Sequence, residues 1–562
     1  MTWTARLDAW GAGRRGPLLA ALLALMAGLP GLIALPPLDR DESRFAEASA
    51  QMVESGDYVS PRFQDTPRFK KPVGIYWLQA AAVRATSSLE QRAIWAYRLP
   101  SLLGAMLAAA ACAWGAAGFL RPGSAMVAGG LVATTFLLST EADIAATDAV
   151  LCGAVTLAMA ALGRLYGAAQ AGQAGKTKVK IAFWAAFAIA VLVKGPVAPL
   201  VVGLTLISLC VWDRKCDWLK DLGWGWGLIL LAVVVGPWAM AITVATDGAF
   251  WGAAVGGDLT PKLLGDQEGH GAPPGFYLIL APLVLFPASV LLPAGLAEGW
   301  RGRATPAVRF ALCWLAPTWL AFELIPTKLV HYTLPAYGAA AWLMAYALEK
   351  PIGPKARALG GGMLMIAAAA FALAGPVTMK ALGYGSAASW VWAVLAGGLF
   401  IAAGVSGAVL FWCERAHDAV IVAGGVAVAA HAVLVGALAP SLQPLWLSDR
   451  VARALTRAGL SPRQGLVLGP VTVAGYQEPS LVFLLGADTV LGSPKDAAGA
   501  IADGRPAVVE ARQDAAFQAA LAARGRRAER VETVGGLDYS NNKPDVLIVY
   551  RPRGHGKTPL RP

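Results

Sequence analysis

The chain has 562 residues, of which 57% are hydrophobic and only 15% are charged. Soluble globular proteins carry about a quarter charged residues, so this composition excludes a soluble protein and indicates one that crosses a membrane many times, in contact with membrane lipids. The net charge is +12, but outside the first outer loop and the C-terminal region most basic residues lie in short loops between apolar stretches, so we expect no nucleic acid partner.

Apolar stretches of the length that spans a bilayer, about 20 residues, follow one another as far as residue 440. The fifth stretch is short and ends at 194–196, so the fifth and sixth are candidates for one broken helix pair. We predict thirteen transmembrane helices, at 17–36, 97–117, 124–140, 146–165, 181–194, 197–212, 224–245, 275–297, 307–325, 332–349, 358–378, 388–411 and 418–440.

Lysine and arginine are concentrated in alternate loops, among them 14–15, 176–180, 301–303 and 350–357. The positive-inside rule makes these loops cytoplasmic. With thirteen spans the N-terminus then lies inside and the C-terminus outside. We therefore expect a multi-pass protein of the bacterial inner membrane, whose intervening loops face the periplasm.

Two domains are predicted, and the boundary is the change of composition after Pro440. Residues 1–440 form the transmembrane domain. Residues 441–562 alternate helix-like segments with short β-rich runs such as 507–510 and 545–550. This alternation predicts a small periplasmic α/β domain attached to an α-helical polytopic membrane protein.

The first outer loop, 37–93, carries eight basic residues on the side where the positive-inside rule disfavours them. Either a long loop escapes that rule, or these cations bind anionic phosphates at the outer surface. Apolar residues at helical spacing between Glu42 and Glu54 predict an amphipathic helix lying on the membrane surface. Asp41 begins this helix, where an N-cap and a carboxylate aimed at a reacting group are both open interpretations.

The same loop contains a dense motif: Asp41-Glu42, Arg44-Phe45-Ala46-Glu47, Met52, Gly56-Asp57-Tyr58, Pro61, Lys71-Pro72 and Tyr76-Trp77. It resembles the superfamily of aminoarabinose transferases and protein O-mannosyltransferases, which are lipid-phosphate-sugar-dependent glycosyltransferases of GT-C fold. Val73 departs from the pattern, since a second proline is usual there. Shorter matches follow in order at 98–101, 146–148, 194–196, 328–332 and 476–483.

The resemblance implies a glycosyltransferase that moves a sugar from undecaprenyl phosphate to an acceptor at the periplasmic face. In the relatives most like this sequence the acceptor is lipid A and the sugar is 4-amino-4-deoxy-L-arabinose, so we expect these or another envelope acceptor. A protein O-mannosyltransferase-like enzyme is one alternative. A lipid-linked sugar transporter or flippase is another, because many spans and a broken helix also suit transporters.

Three aspartates are candidates for catalysis. Asp41 is predicted to take a proton from the acceptor or to orient it. Asp148 and Asp143 flank the outer ends of the third and fourth spans, and acidic residues at membrane depth usually face functional cavities. The alternative is that both lie in the hydrated headgroup zone, and the sequence does not decide which of the two is in the site.

Lys71, Lys262 and Lys328 are predicted to bind the donor phosphate, with snorkelling to the interface as the alternative. The other predicted substrate contacts are Glu42, Tyr58, Tyr76, His331 and Tyr332. No cofactor is predicted with certainty. A divalent metal ion is left open, with His270 as the candidate ligand, although a lone histidine is more often structural.

Overall fold

The computed structural model describes residues 3–265, 270–464 and 469–553. Helices make up the chain as far as residue 441, together with the two-stranded hairpin β1 (Arg62–Phe63) and β2 (Thr66–Pro67). The α-helices of this part are α1 (Trp3–Gly11), α2 (Arg15–Ala34), α3 (Asp41–Ser55), α4 (Gly74–Thr86), α5 (Ile94–Ala116), α6 (Pro122–Thr134), α7 (Phe136–Ala142), α8 (Asp148–Gln170), α9 (Thr177–Lys194), α10 (Val197–Asp213), α11 (Trp224–Ala245), α12 (Ala249–Trp251), α13 (Thr260–Leu264), α14 (Phe276–Val284), α15 (Leu292–Arg301), α16 (Pro306–Leu324), α17 (Tyr337–Ala347), α18 (Pro354–Ala381), α19 (Ala387–Trp412), α20 (Ala416–Val433) and α21 (Ala439–Ser441). Short 3-10 helices lie at Leu89–Gln91, Asp217–Leu222, Ala288–Leu291 and Val330–Ala336, and π-helical turns at Gly252–Leu259 and Leu434–Leu438.

A helix lies over each of the thirteen predicted spans. Within the described residues, eight helices are long and apolar enough to cross a membrane, and ten if the bent pairs α6–α7 and α14–α15 each form one span. The chain is therefore a multi-pass membrane protein. The three remaining predicted spans correspond to α9, α10 and α17, which are shorter or less apolar, so their crossing stays a prediction.

Small residues let the central helices pack closely. A Cβ atom on Gly104 of α5 would lie 2.6 Å from the carbonyl oxygen of Ala149, and one on Gly153 of α8 would lie 2.4 Å from the carbonyl oxygen of Gly104. Close backbone approach of this kind is how helices associate where lipid removes the hydrophobic driving force. The contact fixes the start of α8, where Asp148 stands.

A mixed five-stranded sheet forms the C-terminal region, in the order β4-β3-β5-β7-β6. Strand β3 pairs in parallel with β4 and β5, and β7 pairs antiparallel with β5 and β6. The elements are α22 (Leu447–Arg457), β3 (Thr472–Ala474), α23 (Pro479–Leu485), β4 (Val490–Gly492), α24 (Pro494–Ala502), β5 (Ala507–Glu510), α25 (Asp514–Ala522), β6 (Ala528–Asp538) and β7 (Lys543–Pro552), with 3-10 turns at Gln443–Leu445, Pro462–Gln464 and Ala511–Gln513.

Both faces of this sheet are covered by helices. Val473 and Val508 share a hydrophobic core with residues of α22 and α23, and the alternate residues Ala474 and Val509 share one with residues of α24 and α25. The period-two alternation of side chains across a sheet explains this division. The predicted fold class, a helical membrane protein with a small C-terminal α/β unit, is confirmed.

Helix α3 forms as predicted, but it is buried on more than the single apolar face that an amphipathic surface helix requires. It packs between α4 and α23, and residues on nearly all of its faces are buried. Its polar side chains have partners in the protein: Ser49 Oγ donates to Gln79 Oε1 at 2.6 Å, and Arg92 donates to Glu47 Oε2 at 2.6 Å. These partners are distant in sequence, so the helical periodicity could not reveal that the polar face is also buried.

Candidate active site

A polar cavity of about 240 Å³ lies where the first outer loop, the start of α8 and the Val330–Ala336 helix meet. Its walls bring together charged and polar side chains from segments far apart in sequence. They are Asp41, Arg44, Arg68, Lys70, Lys71, Glu141, Thr147, Asp148, Lys194, Asp258, Lys262, His270, Thr327, His331 and Tyr332.

An apolar groove of about 590 Å³ adjoins this cavity. Its apolar wall comes from α10, from the segment around Phe250 and Val255, and from the residues near Phe322 and Leu334. The two spaces share eight residues, which are Lys70, Lys71, Asp148, Lys194, Asp258, Lys262, His331 and Tyr332. Such an arrangement can hold a ligand that has an anionic group at the junction and a long apolar chain in the groove.

Asp41 presents its carboxylate to the polar cavity. It is the first residue of α3, its side chain is 74% exposed, and Arg68 lies 3.4 Å from Oδ1. The N-cap position belongs to Arg40, so the capping interpretation of Asp41 is not supported. Desolvation raises the pKa of Asp41, but the positive charges of Arg68 and Arg44 lower it. The net result is a pKa below the ordinary value for aspartate. Asp41 is therefore ionised at neutral pH.

Asp148 lies in a cluster of four charged groups. Its Oδ1 is 2.5 Å from Lys194 Nζ and 3.6 Å from His331 Nε2, and the other ring nitrogen of His331 is 3.4 Å from Glu141 Oε1. Burial lowers the pKa of His331, but the negative charges of Asp148 and Glu141 raise it. The net result is a pKa above the ordinary value for histidine. The cluster therefore pairs two carboxylates with two cationic groups.

Two lysines from different loops meet at one carboxylate. Lys71 Nζ lies 2.7 Å from Asp258 Oδ2, and Lys262 Nζ lies 2.6 Å from Asp258 Oδ1. Burial lowers the pKa of Lys71 to about 8, although Asp258 opposes the change. Since Asp258 neutralises one of the two cations, the trio keeps a net positive charge beside the groove.

Comparison with known proteins connects this geometry to a family. The model of the family described as dolichyl-phosphate-mannose-protein mannosyltransferase matches residues 38–250, which include Asp41, Lys71, Asp148 and Lys194. The crystal structure of ArnT from Cupriavidus metallidurans bound to undecaprenyl phosphate matches with a TM-score of 0.76 at 19% sequence identity, over 94% of this chain and 97% of that one. This match shows that the chain shares the fold of ArnT.

Curated relatives agree with the resemblance read from the first outer loop. The undecaprenyl phosphate-alpha-4-amino-4-deoxy-L-arabinose arabinosyl transferase of Pseudomonas paraeruginosa is 29% identical over 361 residues, which are 61% of this chain and 63% of the relative. The protein of the same name from Edwardsiella ictaluri is 29% identical over 346 residues, 61% of this chain and 60% of its own length. The chain thus spans about three fifths of the curated relatives that it matches.

The cavity contains six of the residues predicted for its site, together with the candidate metal ligand. These are Asp41, Asp148, Lys71, Lys262, His331 and Tyr332, with His270. Arg44, Arg68, Glu141, Lys194 and Asp258 also line it and were not predicted as site residues. Lys194 is part of the short motif 194–196 and Arg44 is part of the first motif, so the sequence motifs could have identified both as site residues. Glu141 directly follows the span predicted at 124–140, and Asp258 lies in a loop; neither is part of a motif found in the sequence.

Donor atoms of Glu141, Asp148 and His331 lie within 4.8 Å of one another, the one such group of metal-ligand type in the described ranges. The donor types suit a divalent cation. However, the Lys194 ammonium already lies at Asp148 Oδ1, so a metal there would meet a fixed positive charge. The residues therefore fit a metal poorly, and His270 lies in the cavity wall outside this group.

Two acidic residues predicted for the site lie outside the cavity. Glu42 is 2% exposed and forms an ion pair with Arg98 at 2.8 Å, while its Oε1 accepts the Ala145 N–H at 2.7 Å. Asp143 is fully buried against Gly31, and among the described residues neither of its carboxylate oxygens has a hydrogen-bond partner. Both side chains belong to the packing behind the site, because neither has access to the cavity.

Lys328, Tyr58 and Tyr76 also lie outside the cavity. The ammonium of Lys328 donates to the carbonyl oxygens of Phe322 and Glu323, at 3.1 and 2.8 Å, and to that of Ile325. These contacts cap the C-terminal end of α16 in place of the predicted phosphate contact. Tyr76 is fully buried, and the carbonyl of Tyr58 accepts a hydrogen bond from Trp77, so both support the first outer loop.

Proposed function

We propose that this chain is a glycosyltransferase of the bacterial inner membrane that uses a polyprenyl-phosphate-linked sugar, with undecaprenyl phosphate as the carrier. The sugar is transferred at the periplasmic face to lipid A or another envelope acceptor, and 4-amino-4-deoxy-L-arabinose is the sugar suggested by the curated relatives' names. The observation that carries the proposal is the continuity of the polar cavity and the apolar groove across Lys71, Lys194 and Lys262.

The donor requires this combination of surfaces. Its polyprenyl chain would lie in the apolar groove, and its phosphate would lie at the lysines of the junction. Lys71 and Lys262 each have three N–H donors, and Asp258 takes one from each, so further donors are available for phosphate oxygens. Charge-assisted contacts of this type stabilise the leaving phosphate as its negative charge develops.

The transfer step then follows from the placement of Asp41. An acceptor oxygen bonds to the anomeric carbon of the sugar while the bond from that carbon to the lipid phosphate oxygen breaks. The electron pair of the broken bond stays on the phosphate, which leaves as the lipid monophosphate. Where the acceptor oxygen carries a proton, the ionised carboxylate of Asp41 takes it, and such general-base catalysis contributes ~10²–10⁴-fold.

A protein O-mannosyltransferase-like reaction is the second candidate, because the family model that matches residues 38–250 is described by that activity. It uses the same donor chemistry and differs in the acceptor, a protein hydroxyl. A transporter is disfavoured, because the C-terminal domain packs over the first outer loop through α23 and α3.

The assay that tests the proposal uses the purified protein, radiolabelled undecaprenyl phosphate sugar and either lipid A or a hydroxyl-bearing peptide. We expect label to move to lipid A. Label on the peptide alone would establish the second candidate. Label that crosses the bilayer of sealed vesicles without any transfer would refute both enzymatic functions. Mass spectrometry of lipid A from cells with and without the gene identifies the sugar.

A further inference from the structure

The C-terminal α/β domain holds the two residues that directly precede Asp41. Ser480 Oγ, on α23, donates to Asp39 Oδ1. The backbone N–H of Asp39 donates to the hydroxyl of Tyr539, in the turn after β6, at 2.6 Å. Both partners are more than 400 residues away in sequence, so the contact joins the two domains at the edge of the cavity.

Arg40 is held from the same side. Its guanidinium donates to the carbonyl oxygen of Ser540 and to Oδ1 of Asn541, both at 3.0 Å. Its φ is +61°, a conformation that residues other than glycine rarely adopt. Such a backbone persists only where surrounding contacts impose it, and here the turn between β6 and β7 supplies them.

A chain of hydroxyl groups extends the contact into the domain core. Ser480 Oγ lies 2.6 Å from Ser448 Oγ, which lies 2.9 Å from the hydroxyl of Tyr476. All three side chains are buried. Ser480 is thus hydrogen-bonded both to Asp39 and to a hydroxyl group of the domain core. Connected hydrogen bonds of this kind strengthen one another and hold a single geometry.

The membrane domain holds the other neighbour of Asp41. Glu42 is fixed by Arg98, and its Oε2 accepts the backbone N–H of Leu38 at 2.8 Å. Asp41 thus stands between one residue fixed by the membrane domain and two fixed by the C-terminal domain. Its own carboxylate stays exposed to the cavity.

From these contacts we propose that Ser480 and Tyr539 are positioning residues, through which the C-terminal domain sets the location of the Asp41 carboxylate. The inference rests on the proposed function of Asp41 in sugar transfer. It gives the segment 476–483, which matched the family in sequence, a role in the reaction although it lies outside the cavity. Misplacing a reacting group by about 1 Å can cost ~10²-fold in rate, so contacts of this type control turnover.

The test compares full-length Ser480→Ala and Tyr539→Phe with Ser493→Ala. Ser493 caps α24 in the same domain through a capping box with Asp496, and these hydrogen bonds are local to the start of that helix. The control therefore weakens the domain without touching the contact. We expect the first two variants to lower kcat by ~10-fold or more, with the KM for the lipid donor within ~2-fold of wild type, and the control to change neither.

Hydrogen exchange of the segment 38–44, followed by mass spectrometry, gives a readout that does not depend on activity. Ser480→Ala and Tyr539→Phe should raise its exchange rate, and Ser493→Ala should not. Equal exchange and equal kcat in all three variants would overturn the inference. If wild type transfers no sugar while the exchange still rises in the two variants, the proposed function fails but the mechanical link between the domains stands.

Discussion

Lys71 and Lys262, which are far apart in sequence, are joined through one carboxylate: both ammonium groups lie within 2.7 Å of an oxygen of Asp258. This bridge fixes two cations where the polar cavity meets the apolar groove. The position of these cations determines how a lipid phosphate would bind, and it leads to a pH-dependent prediction.

The value of kcat/KM for the lipid donor should fall as pH rises through about 8, because burial lowers the pKa of Lys71 to about 8. The sign follows from the charge: below that pH the ammonium is charged and attracts phosphate, and above it the neutral amine does not. The measurement is the pH dependence of kcat/KM for the donor, which reports the free enzyme. In Lys71→Arg the fall of kcat/KM with rising pH should move to higher pH, since a guanidinium keeps its charge. If kcat/KM of the variant falls at the same pH as in wild type, a group other than Lys71 causes the fall.

Replacing Asp148 and Asp143 by asparagine, one at a time, should have different effects on turnover. Asp148→Asn removes the charge that holds Lys194 and His331, so we expect turnover to fall by ~10-fold or more. Asp143→Asn should keep activity within ~2-fold, because that side chain does not reach the cavity and a neutral amide is easier to bury than an unpaired carboxylate. Thermal unfolding of both variants provides the folding control. Loss of turnover in Asp143→Asn with normal folding would contradict the placement of that residue.

Removal of divalent cations should leave transfer intact, because Lys194 already supplies positive charge at Asp148 Oδ1. The experiment is transfer after dialysis against EDTA, with and without added Mg²⁺, Mn²⁺ or Zn²⁺. Activity lost to EDTA and restored by one of these ions would show instead that Glu141, Asp148 and His331 hold a metal.

The sequence predicted the membrane helices well, because a span needs only local apolarity over about 20 residues. It also found Asp41, Lys71 and Asp148, which the structure brings to one cavity, since motifs and intramembrane charges mark them. It did not predict that Glu42 and Lys328 are occupied by internal partners, because these partners, Arg98 and the end of α16, are defined by packing. Asp258 was missed for the same reason, as its significance comes from the two lysines it contacts.

Asp41→Asn tests the central claim most directly. Asparagine keeps the size of the side chain, and no cap hydrogen bond is at stake, since Arg40 occupies the N-cap and makes none with its side chain. The substitution therefore removes basicity and charge with little effect on folding. The measurement is kcat for sugar transfer by purified wild type and Asp41→Asn, together with donor binding to each. We predict a fall in turnover of ~10² or more with donor binding retained. Near-normal turnover in the folded variant would contradict the assignment of Asp41 as the reacting carboxylate.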